Sequence, residues 1–153
     1  MRKTAIAVGV IMLTGGALRV VSAHEMDLPP GPIKDRHELM EGIGKNAKII
    51  GDALKAGNHE GIEDAAGKIM TSATKIVALF PKGSTDPKSR AKPEIWTHWQ
   101  KFQDDAKQLE LSAGELVDAT HSGGEVKAKA DMMFGACKSC HDQFRKPEKK
   151  EKK

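Results

Sequence analysis

The sequence predicts an all-α fold, an antiparallel four-helix bundle, on three grounds. Strand signals are nearly absent: the 153 residues hold no Tyr, few β-branched runs and no alternating stretch of useful length. Four segments repeat apolar or small residues at a spacing near 3.5, which keeps a seam facing its neighbours at shallow crossing angles. Stretches rich in Pro and Gly separate those segments.

Pro29, Pro30 and Pro32 keep a first helix from starting before about Ile33. Its seam reads Ile33, His37, Met40, Gly44, Ala47, Gly51, Leu54. Gly57-Asn58 is a short link, with Asn58 the candidate N-cap of the second helix. The second seam reads Ile62, Ala66, Ile69, Ala73, Ile76, Phe80, and a longer connection follows from Pro81 to Pro93. The third reads Ile95, Trp99, Phe102, Ala106, Leu109, Ala113, Leu116, and Ser122-Gly123-Gly124 ends it. The fourth reads Val126, Ala130, Met133, Cys137, Cys140, Phe144, with Pro147 beyond. Short first and third links make those helix pairs antiparallel, and the longer middle one is compatible with an up-down-up-down order.

Many seam positions are small, among them Gly44, Ala47, Gly51, Ala66, Ala73, Ala106, Ala113 and Ala130, and aromatics make up only 4% of the chain. Either the helices approach closely through alanine, or a large flat apolar ligand fills the space between them.

The N-terminal residues read as an export signal. Arg2 and Lys3 precede an uncharged, mostly apolar run from Ala5 to Leu18, and Val21-Ser22-Ala23 offers small residues for cleavage. The run is too short for a transmembrane helix, which takes roughly 20 apolar residues. Residues 1–23 are therefore expected to be removed, leaving an N-terminal extension at 24–32, a helical domain at 33–146 and a basic tail at 147–153. The mature chain is expected in the periplasm, without a transmembrane span. Removal takes Arg2, Lys3 and Arg19 from the 25 basic residues, leaving 22 against 21 acidic ones. With a charge so near neutral and no aromatic–basic surface pattern, nucleic acid is a poor candidate partner. The tail either solubilises or offers a patch to an acidic partner.

Two cysteines in an exported chain usually suggest a disulfide. Cys137 and Cys140 are only three apart, however, so a bridge would close almost no loop. Cys137-Lys138-Ser139-Cys140-His141 instead matches the haem c attachment pattern. Residues i and i+3 of a helix share a face, so each thiol can add to one vinyl group of a single porphyrin. His141, four past Cys137, can swing beneath the ring to bind iron. A dithiol redox site would sit in a βαβ unit, and a structural zinc site would need four ligands; neither context is visible. Together these imply an all-α bundle with one haem c, and its iron, held covalently on the C-terminal helix.

At this point the chain resembles the class II cytochromes c, the cytochrome c′ family with its low-spin His/Met members. The resemblance spans roughly Ile33 to Arg145. Besides the haem motif it rests on Leu79-Phe80-Pro81, Ile95-Trp96, Arg36 with Met40 four residues on, and Phe144-Arg145. It implies that the first helix faces the sixth iron position at Met40. In some members a methionine there ligates iron; in others the residue only packs over an open site. The thioether would raise the reduction potential, whereas a packing methionine would simply fill a gap. His37, one turn earlier, is a rival ligand, a partly exposed histidine or a neighbour of a haem propionate. Arg36 is the propionate candidate by resemblance, because guanidinium binds carboxylate through two parallel hydrogen bonds. Arg145, one turn past His141, either tunes the proximal side or stays at the surface. His59, His98 and His121 are expected to be solvated.

Two functions follow. A six-coordinate His141/Met40 haem would carry single electrons to and from a weakly docking redox partner protein. An open distal site would bind a diatomic gas, nitric oxide or carbon monoxide. No Ser/His/Asp constellation, paired carboxylate or distal acid–base pair stands out, so an enzyme is not expected. Family members are often dimers through the first two helices, which makes a homodimer a further expectation.

Overall fold

The computed structural model describes residues 28 and 30–147. The signal segment at 1–23, most of the extension at 24–32 and residues 148–153 of the tail lie outside them. Five helices follow one another: α1 (Pro32–Lys55), α2 (Ile62–Ala73), the one-turn α3 (Glu94–Thr97), α4 (Trp99–Ser122) and α5 (Val126–Phe144). The four long ones form the antiparallel bundle, and no strand occurs among the described residues.

Pro32 takes the first turn of α1, where its missing N–H costs nothing. Gly123 ends α4 at φ 65°, a left-handed conformation that only glycine enters freely, and it reverses the chain into α5. Asn58 is not the cap of α2. Its side chain accepts from the Glu60 amide within the link, and Gly61, at φ 75°, precedes the helix instead.

The second seam continues past its helix. α2 stops at Ala73, where the Thr71 and Thr74 hydroxyls hydrogen-bond the carbonyls of Gly67 and Thr71 and compete with the ladder. A 3₁₀ turn at Val77–Leu79 carries the chain on and still directs Ile76 and Phe80 inward. The third helix is broken at His98, where φ −118° and ψ 45° separate α3 from α4. Trp96 fixes that corner by donating Nε1–H to the carbonyls of Phe80 and Pro81, 3.1 Å from each.

Around the ring, α1 packs on α2, α2 on α4 and α4 on α5, whereas α1 and α5 barely touch. The core follows those closed seams: Ile50, Ile62, Ile69, Ala113, Leu116, Ala130 and Met133 are fully buried. At the α3 end Phe102 is the hub of an aromatic cluster, its ring 4.8 Å from Phe80, 5.4 Å from Phe144 and 5.6 Å from Trp99. On α1 the buried positions are Arg36, Ile43, Ile50 and Ala53, one step round from the heptad stripe, and Gly44 of that stripe is exposed. The displacement has a physical reason: Ile50 and Ala53 face protein, Ile43 packs into the core at the edge of a cavity, and Ile33, His37, Met40, Gly44 and Ala47 line cavities.

Candidate haem site

Two cavities meet between α1 and α5. The first holds about 150 Å³ and the second about 170 Å³ of space that a water-sized sphere can enter, and both continue into open clefts. Met40, Cys140 and His141 are the three residues common to both walls. Cys137 lines the second, and both cysteines are half-buried free thiols. Two helices with no direct seam between them thus present a thioether from one side and a Cys/Cys/His set from the other.

Burial pushes both thiols up, Cys140 to about 12, with a smaller contribution from nearby Asp105. They stay protonated instead of forming reactive thiolates. His141 is shifted the other way: burial lowers it, and Arg145 and Arg90 lower it further. Its imidazole is held neutral, the form that can ligate a metal.

The walls of the two cavities differ in charge. Arg36, Lys88, Arg90 and Arg145 line the first, and no carboxylate is among its lining residues. Arg36 is 4% exposed. It donates from Nη1 to Ser84 Oγ and from Nη2 to Ser84 O and Ser89 Oγ, each at 2.9 Å, and lies 4.6 Å over the Phe80 ring. Burial depresses its pKa and Asp86 partly offsets this. A cationic wall around an apolar slot suits a flat ligand with carboxylates at one edge. The second cavity is apolar, walled by Ile43, Ala47, Ile76, Ala106 and Leu109, with Asp105 its exception. The space, the paired thiols, the neutral imidazole and the cationic end all fit a haem.

The sequence had read residues 81–93 only as a connection, yet they supply part of this site. Lys92 N–H donates to Phe144 O, the Lys146 amide donates to Arg90 O, and Lys92 Nζ caps the carbonyls of Asp142 and Gln143. Ala91 also pairs with Arg145 in an isolated β-bridge. The segment is therefore latched to the end of α5, with Lys88 and Arg90 placed at the cavity. The signal was the basic alternation Lys88, Arg90, Lys92. His37 lines the first cavity with its Nε2 3.4 Å from Glu41 Oε1. His59, His98 and His121 are exposed, His121 lying 2.8 Å from Glu63.

The sequence profile of the family described as Cytochrome C′ matches residues 31–145, from the glycine before α1 to the arginine after α5. The chain belongs to the cytochrome c′ family. A cytochrome c′ of Rhodopseudomonas palustris is 30% identical over 117 residues, covering 74% of this chain and 80% of that protein. A cytochrome c-556 of the same organism is 27% identical over 160 residues, covering 97% and 99%. The crystal structure of cytochrome c′ from Thermochromatium tepidum superposes with a TM-score of 0.71 at 26% identity, covering 80% of this chain and all of that one. Like other cytochromes c′, the chain is a haem c protein, with one covalent haem and its iron. No helix among the described residues is long and apolar enough to cross a membrane.

Proposed function

We propose that the chain is an exported one-electron carrier whose haem iron is ligated by His141 and Met40. The observation that carries this reading is that Met40 and His141, from helices that barely touch, line the same two cavities. The bound haem supplies a ferric/ferrous couple at one iron. Cys137 and Cys140 hold it to α5 through thioether bonds. His141 presents a neutral imidazole from α5, and Met40 presents a thioether from α1. Arg36, with Arg145, Lys88 and Arg90, holds the carboxylate edge, and the apolar walls exclude water. Held between His141 and Met40, a bound haem would need little rearrangement of these side chains to gain or lose an electron. No acid–base pair is needed, so the chain is not an enzyme in this reading.

Residues 1–23 direct the chain to the periplasm and are removed there, leaving 24–32 as an extension, 33–146 as the cytochrome domain and 147–153 as a basic tail. Its partner there is a redox protein that docks weakly. A homodimer through α1 and α2 is consistent with Ile49, 48% exposed on α1. The alternative is an open sixth site that binds nitric oxide or carbon monoxide.

An absorption spectrum of the reduced protein, with and without carbon monoxide, separates the two. The proposed state gives a sharp low-spin spectrum indifferent to carbon monoxide, and Met40→Ala converts it to a high-spin spectrum that shifts with the gas. A wild-type protein that already binds carbon monoxide, or a Met40→Ala variant that stays low-spin, refutes the Met40 assignment.

A further inference from the structure

Asp105 sits on α4, 8% exposed, on the wall of the second cavity with Met40, Cys137, Cys140 and His141. Its Oδ1 accepts from Lys101 Nζ one turn earlier. Its Oδ2 is buried and has no hydrogen-bond partner among the described residues. A carboxylate withdrawn from water with one oxygen unanswered is costly to keep. The pair is also lopsided. The Asp105 side chain is 10% exposed and that of Lys101 49%, so the cation lies in screening solvent while the anion lies inside. No Lys or Arg lines that cavity to balance it.

We propose that Asp105 is the residue that biases the haem toward its ferric state, holding the reduction potential down with a buried negative charge. The inference rests on the haem reading of Cys137, Cys140 and His141. The iron centre carries one more positive charge oxidised than reduced, and a fixed anion inside the protein stabilises the more positive form. It thereby opposes the cationic wall of the first cavity, which favours reduction. One electron passes, no bond forms or breaks, and no proton is invoked.

The test is a spectroelectrochemical titration of the haem-loaded protein at fixed pH and salt. Asp105→Asn keeps the shape and an acceptor for Lys101 while removing the charge. At a fixed applied potential its ferric:ferrous ratio is expected to fall about tenfold, a rise of about 59 mV for a one-electron couple. Asp105→Glu, which keeps the charge, is expected to stay within about twofold of wild type. An Asn variant with a normal Soret band but a ratio within about twofold of wild type overturns the inference. Should that variant fail to take up haem, Lys101→Gln reads the same field. Loss of its cation must move the ratio toward ferric by about twofold, and an unmoved ratio overturns the inference equally. A wild-type protein without a Soret band would sink the haem reading and this inference with it. A loaded wild type beside an unresponsive Asn variant sinks this inference alone.

Discussion

Replacing Arg36 by Leu keeps the apolar stem of the side chain and deletes the guanidinium that ties α1 to residues 84–89. Three hydrogen bonds at 2.9 Å disappear, to Ser84 Oγ, Ser84 O and Ser89 Oγ, together with the contact over Phe80. Bonds of this charge-assisted kind contribute about 1.5–3 kcal/mol each, and a cation over a partly desolvated ring about 1 kcal/mol. Two offsets reduce the sum. Burial already penalises this charge, so removing it recovers desolvation, and the serine hydroxyls can turn to water. A net loss of about 2–3 kcal/mol results, or about 5–10 °C in Tm for a domain of this size. Urea unfolding of the haem-loaded protein, followed by helical circular dichroism, measures the loss. Trypsin should also cut faster after Lys88 and Arg90 once the segment is released. Arg36→Lys should restore less than half of the stability, because one ammonium cannot serve three acceptors in that geometry. A loss below about 0.5 kcal/mol with unchanged protease resistance would show that Arg36 does not hold this segment.

Phe102→Ala should cost about 3–5 kcal/mol in the same unfolding assay, since it empties the hub of the Phe80, Trp99 and Phe144 cluster; a loss under about 1 kcal/mol would mean the cluster repacks. Lys92→Met removes the ammonium that caps Asp142 O and Gln143 O and should speed amide exchange across 141–146; exchange as slow as in wild type contradicts the latch. Glu63 raises His121, so the folded state holds that proton more tightly than the unfolded chain does. The stabilisation is then full below about pH 6.5 and is lost as the pH rises through the raised value. The Tm gap between wild type and His121→Gln should accordingly shrink on going alkaline, and a gap that widens would reverse the assignment.

Most of the bundle was legible because heptad spacing and helix breakers are local signals. Pro32 and Gly123 mark their helix ends in the sequence as they do in the structure. The breaks after Ala73 and at His98 were not legible, because Ile76 and Phe80 keep the apolar rhythm through turns that are no longer α-helix, and Ile95 and Phe102 keep it across the break at His98. The stripe on α1 was found, but its spacing left open whether protein or a flat ligand lies against it. Periodicity reports which face avoids water, not whether protein or cofactor lies against it. The Cys/Cys/His set was readable from three positions because covalent attachment fixes their spacing. Lys88, Arg90 and Asp105 were not, since their roles arise from neighbours more than 30 residues away in the chain. That distance separates Arg36 from Ser84, and Arg90 from Lys146.

Intact-mass spectrometry under denaturing conditions, on protein matured in an oxidising host that supplies haem, tests the central claim most directly. The account predicts one species, the chain from His24 plus a single haem, that retains its Soret band after acid extraction and leaves neither Cys137 nor Cys140 open to alkylation. A bare polypeptide mass with both thiols reactive would contradict it.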